Sequence, residues 1–146
     1  MFRGNAPARI DDKGRLKVPN AFRSLLESKY GRELFVTSIS GEYVRIYPMP
    51  VWLEIEAKLG QVPSSHPSRQ RLLDRVHYYG QNAELDTQGR VLIPVRLRES
   101  ALMAGDVDVL GQYNYLDVWN HDRFLMKLQR DTYTDDDARA LSEFGI

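Results

Sequence analysis

Two pairs of residues in this 146-residue chain have the types and the spacing to do chemistry, Asp11 with Arg15 and Asp86 with Arg90. Each sets a carboxylate four residues ahead of a guanidinium. Several chemistries fit that arrangement. The guanidinium is a planar fork of N–H donors suited to a phosphate or to a guanine edge. It equally suits a structural ion pair, each Arg bridging to an Asp of the other pair. Asp11 and Asp86 could in turn form an acid/base couple, although an Asp at the head of a tight turn more often accepts from its own backbone.

The two pairs belong to a phrase that the chain carries twice. Residues 10–19 read Ile10-Asp11-Asp12-Lys13-Gly14-Arg15-Leu16-Lys17-Val18-Pro19, and residues 85–94 read Leu85-Asp86-Thr87-Gln88-Gly89-Arg90-Val91-Leu92-Ile93-Pro94. A second echo follows, with Glu42-Tyr43-Val44-Arg45-Ile46-Tyr47 parallel to Asn114-Tyr115-Leu116-Asp117-Val118-Trp119; aromatic and aliphatic positions match while charges do not. Such self-similarity predicts two copies of one small unit. We place them at 5–52 and 81–124, with a helical connector over 53–80 and a C-terminal helical tail over 125–146.

Local signals state how each copy positions its pair. Asp at the first and Gly at the fourth position of Asp11–Gly14 and of Asp86–Gly89 predict hairpin turns, with Gly14 and Gly89 in the left-handed conformation. Period-two alternation then points Ile10, Leu16 and Val18 inward and Arg9, Arg15 and Lys17 outward. In the second copy Leu85, Val91 and Ile93 face in, while Glu84, Arg90 and the apolar Leu92 face out. Short helices are expected after each motif proline, over 21–30 up to Gly31 and over 95–104 up to Gly105. Strands are expected at 35–39 and 43–47. A helix starting at Pro50 uses Trp52, Leu53, Ile55 and Leu59 and stops at Gly60. Another after Pro67 gathers Leu72, Leu73, Val76 and Tyr79 on one face. Thr134 and Asp137 form a capping-box start for a last helix.

Little else in the chain offers chemistry. His66, His77 and His121 have no ligand-like spacing, and there is no Cys, so neither a metal site nor a disulfide is expected. No nucleotide loop or nucleophile elbow occurs. Asp135, Asp136 and Asp137 read as acids stabilising a helix start. The chain is therefore not expected to be an enzyme, and no catalytic residue, cofactor or small-molecule substrate is expected. A hydrophobic fraction of 42% with 27% charged residues is ordinary for a soluble globular protein. There is no membrane-length apolar run and no signal-peptide core, which together with the missing cysteines suits the cytoplasm.

The net charge of zero hides an asymmetry. Residues 1–32 carry eight Lys/Arg against three acids, a net of +5, and residues 131–146 carry five acids against one Arg, a net of −4. A basic head is a footprint that polyanions read. Arg3, Arg9, Lys13, Arg15 and Lys17 are accordingly candidate DNA-contact residues, with Arg90 from the second copy. The second copy has Glu84, Gln88 and Leu92 where the first has Arg9, Lys13 and Lys17, so Arg15 is expected to matter more than Arg90.

Met1-Phe2-Arg3-Gly4, the doubled D-x-x-G-R-x-x-(I/V)-P signature and the length together resemble the MraZ family of bacterial transcriptional regulators, over essentially the whole chain. The resemblance implies an α+β fold, a double-repeat AbrB-like swapped-hairpin β-barrel with short helices after each repeat. It also implies a ring-shaped homo-oligomer in the nucleoid, bound to repeated double-stranded promoter sites upstream of a division and cell-wall gene cluster. It puts Asp11, Arg15, Asp86 and Arg90 on the DNA-facing surface. Two other readings are distinct in kind. One is a scaffold ring whose Arg residues join subunits. The other is an RNA-binding barrel, although the outward strand face lacks stacking aromatics.

Overall fold

The computed structural model describes residues 1–146. Its strands are β1 (Asn5–Ile10), β2 (Arg15–Lys17), β3 (Glu33–Thr37), β4 (Val44–Pro48), β5 (Gln81–Glu84), β6 (Arg90–Leu92), β7 (Gly105–Gly111) and β8 (Leu116–Asn120). Its helices are α1 (Asn20–Leu25), α2 (Met49–Gln61), α3 (Pro67–Tyr78), α4 (Val95–Ser100), α5 (His121–Arg130) and α6 (Asp135–Ser142), and α1 runs on as a π-helical turn over Leu26–Tyr30.

All eight strands make one sheet in the order β5-β3-β4-β8-β7-β1-β2-β6. The two ends of that order, β5 and β6, are consecutive in the chain, and the Asp86 N–H donates to Arg90 O at 2.9 Å across the turn between them. The sheet thus curls into a nearly closed barrel. The hairpins are swapped between copies. β1 of the first copy pairs along its whole length with β7 of the second, from Asn5↔Leu110 to Ile10↔Gly105. β5 of the second copy pairs with β3 of the first. β2 and β6 pair with each other at Leu16↔Val91, and β4 and β8 pair at Arg45↔Asp117. The α+β swapped-hairpin barrel expected above is the observed fold.

Strand parity sorts the apolar motif positions as expected. Ile10, Leu16, Val18, Leu85, Val91 and Ile93 are buried in one core with Phe2, Phe22, Leu97, Val107 and Val109. A second, smaller cluster lies outside the barrel, where Trp52 of α2 stacks on Phe35 of β3 at 4.5 Å and Val76 of α3 closes over them. No helix is long and apolar enough to cross a membrane.

Three helix expectations need correction. α4 ends at Ser100 rather than at Ala104. Leu102 takes a left-handed φ of 53° there, and the Met103 N–H donates back to Arg98 O at 2.9 Å, closing the helix early. α2 runs through Gly60 to Gln61; Val62, which precedes Pro63, is forced extended and ends it. Leu53, expected on the apolar face of α2, is exposed, and Val51 is buried beside Trp52 instead.

Candidate nucleic-acid interface

The candidate interface is built from two tight turns. In the first, Asp11 Oδ1 accepts from the backbone N–H groups of Lys13 (3.0 Å) and Arg15 (2.8 Å), and Oδ2 accepts from Arg15 Nε at 2.8 Å. The second turn repeats this. Asp86 Oδ1 accepts from the N–H groups of Gln88 (2.9 Å) and Arg90 (2.8 Å), and Oδ2 from Arg90 Nε at 2.9 Å. Gly14 (φ 83°) and Gly89 (φ 77°) supply the left-handed step that each turn requires.

Each Asp therefore both ties its own backbone and holds its own Arg. The ion pair lies within a turn and does not bridge the two copies. The backbone N–H of Arg15, followed by its side chain, holds the Asp11 carboxyl below its ordinary range, and Arg90 does the same for Asp86. Both carboxylates are fixed in the ionised, accepting form, which leaves neither suited to deliver a proton near neutral pH. Arg15 and Arg90 use only Nε in these pairs; their terminal Nη groups make no hydrogen bond within the chain. With side chains about a quarter exposed, 28% and 26%, each guanidinium is pinned at Nε by its own Asp.

The two turns share one surface. In the β2–β6 ribbon Arg15 lies opposite Leu92 and Lys17 opposite Arg90. Arg15 and Arg90 are then diagonal neighbours, about 7–8 Å apart. Lys17 is thus as much a neighbour of Arg90 as of Arg15. Leu92 is exposed in the middle of this patch.

The remaining candidates are spread around it. Lys13 is exposed on the first turn. Arg9 is exposed on β1 and sits 3.4 Å from Asp106 of β7, a pair too solvated to hold it firmly. Arg3 is exposed ahead of β1, at the end of that strand away from the turn, next to a buried Phe2. The structure brings Arg15, Lys17, Lys13 and Arg90 together and leaves Arg3 apart. No three His, Asp or Glu side chains converge as metal ligands.

Two further arginines stand at this site that composition and parity do not single out. Arg98 packs against Gly14, and Arg23 against Gly89, each from a helix of the opposite copy. Their common place, the fourth residue after each motif proline, is the signal in the sequence.

Comparison with known proteins came down on one family. A family model described as "MraZ protein, putative antitoxin-like" matches residues 1–75 and again residues 80–144. The chain is 48% identical over 146 residues to the Transcriptional regulator MraZ of Acidobacterium capsulatum, covering all of both chains. It is 48% identical over 147 residues to the protein of that name from Koribacter versatilis, again covering all of both. Against that from Chromobacterium violaceum it is 37% identical over 120 residues, covering 82% of this chain and 81% of the other.

Proposed function

Because the chain belongs to the MraZ family, whose members are named transcriptional regulators, we propose that it is a sequence-specific DNA-binding regulator that acts by occupancy and not by catalysis. One observation carries the reading. Two arginine forks, each anchored by an Asp of its own turn, lie side by side on one outward face with their Nη groups free. A two-stranded ribbon fits the major groove, and a fork pinned at Nε is preset for the O6 and N7 edge of a guanine or for a phosphate. Lys13, Lys17, Arg9 and Arg3 add phosphate attraction around the forks, while Asp11, Asp86, Gly14 and Gly89 shape the turns.

The working unit in this reading is a ring-shaped homo-oligomer on repeated promoter sites upstream of a division and cell-wall gene cluster, in the cytoplasm at the nucleoid. One small patch per protomer binds weakly and in a salt-dependent way, and a ring multiplies it through effective concentration. Leu125, Met126 and Leu128 of α5 and Phe144 beyond α6 are exposed apolar side chains, which supports assembly through the tail. Residues 5–52 and 81–124 would be the two DNA-facing repeats, 53–80 the connector and 125–146 the tail.

The test is titration of a duplex from the protein's own upstream region against a scrambled duplex and a matched RNA, with particle mass followed in parallel. Arg15→Ala should cost about 1–3 kcal/mol per contact on the specific duplex, with mass unchanged. Equal affinity of wild type for all three nucleic acids, or a collapsed particle in the variant, would favour the scaffold reading.

A further inference from the structure

The two motif glycines are each covered by an arginine from the other half of the chain. A Cβ on Gly89 would stand 2.7 Å from Arg23 Nε and 2.8 Å from its Cδ; one on Gly14 would stand 2.5 Å from Arg98 Cδ and closer still to its guanidinium. The cover extends to the backbone. The Val18 N–H donates to Gly89 O at 2.9 Å, and the Ile93 N–H donates to Gly14 O at 2.9 Å. Arg23 adds a bond from Nη2 to Thr87 O at 3.1 Å.

We propose that Arg23 and Arg98 are positioning residues for DNA binding, each clamping the turn of the opposite copy so that its aspartate–arginine fork keeps a single geometry. This rests on the reading of Arg15 and Arg90 as DNA contacts. Each turn is tied from within by its own Asp, and the arginine of the opposite copy covers the glycine face, where the turn has no side chain of its own. Each reading turn is thereby a composite of both halves, with a fork from one and a brace from the other.

The two clamps differ in how they are held. Arg23 Nε is fixed by Glu27 Oε1 at 3.0 Å. The residue at the corresponding place after Arg98 is Leu102, and Arg98 Nε is buried with no partner. Arg98 therefore braces by packing alone, and the first turn should be the looser of the two.

Amide exchange and DNA titration on the full-length chain test this with Arg98→Met, Arg98→Lys and Arg23→Met. The Lys13 and Arg15 amides report the first turn, because both donate to Asp11, and the Gln88 and Arg90 amides report the second. Arg98→Met should speed exchange about fivefold at Lys13 and Arg15 and leave Gln88 and Arg90 alone, and Arg23→Met should do the reverse. Affinity for the specific duplex should fall roughly tenfold in either variant, as preorganisation is lost. The salt slope should hold, as every phosphate contact stays in place. Arg98→Lys, whose stem still covers Gly14, should keep most of the affinity. Exchange that is unchanged, or that rises equally at both turns, overturns the clamp. So does a salt slope lower by about one unit, which would make Arg98 a direct phosphate contact. An Arg15→Ala chain that binds like wild type overturns the DNA reading itself. Impaired Arg15→Ala with unmoved exchange in Arg98→Met overturns only the clamp.

Discussion

Asp11 and Asp86 show how much one side chain can do in a tight turn. Each satisfies two backbone donors and one guanidinium, so each is needed ionised. Both carboxyls sit below their ordinary value of 3.8 in the folded chain. A depressed carboxyl contributes stability that is present above that value and is lost as pH falls through the lower, folded one. Melting curves taken downward from pH 5 should therefore show acid destabilisation beginning below 3.8, and Asp11→Asn should be less stable at pH 6 and flatter below 3.8. Identical pH profiles for wild type and variant would contradict it. The glycines carry a separate demand. Gly14→Val forces a β-branched residue to positive φ and drives Cβ into Arg98, so it should destabilise by about 1–3 kcal/mol or more. That corresponds to a melting point several degrees lower. A melt like wild type's would mean that the turn re-forms around the bulkier side chain.

At the scale of elements, local signals reach as far as local physics does. The turns, the inward and outward parity of β1, β2 and β6, the start of α3 at Pro67 and the Thr134–Asp137 capping box are all written in neighbouring residues, and the structure has them. The end of α4 is not, because Leu102 at positive φ is a tertiary outcome that no residue type announces. Nor is the pairing of β1 with β7, which joins residues about a hundred positions apart. The Arg45–Asp117 pair lay in plain view as unmatched charges in the second echo, and only the register made it a contact. Asp117 accepts from Arg45 Nε at 2.8 Å and from Nη2 at 3.2 Å, and the guanidinium lies 4.4 Å from the Tyr115 ring centroid. Their side chains are only 17% and 9% exposed, so Asp117→Asn should leave a largely buried guanidinium without its counterion, at a cost of about 3 kcal/mol. Arg45→Met combined with Asp117→Leu should recover most of it. Denaturant midpoints of the single and double variants decide; a single variant as stable as wild type would show the pair to be dispensable.

For the whole molecule, the β2–β6 pairing places the two turns on one ribbon, and this sets a different prediction beside the expectation that Arg15 outweighs Arg90. Glu84 and Gln88 flank Arg90 along the chain, yet across the ribbon its partner is Lys17. Arg15→Ala and Arg90→Ala should thus weaken duplex binding to within about threefold of each other, and Lys17→Ala should lower the salt slope by about one unit for each phosphate that Lys17 neutralises. Affinity measured against salt for the three variants tests it, and a loss confined to Arg15→Ala would restore the unequal reading.

Register at Arg45↔Asp117 also decides what the two halves can be as separate objects. The flanking pairs, Val44↔Val118 and Ile46↔Leu116, place these two residues where the local twofold axis crosses the sheet. On such an axis a residue of a true homodimer meets its own twin. Two copies of the first half would set guanidinium against guanidinium inside a ring of tyrosines, and two copies of the second would set carboxylate against carboxylate. Only an unlike couple is neutral there. Each half is thus matched in charge to the other, and either half paired with a copy of itself would carry a like-charge contact at position 45 or position 117.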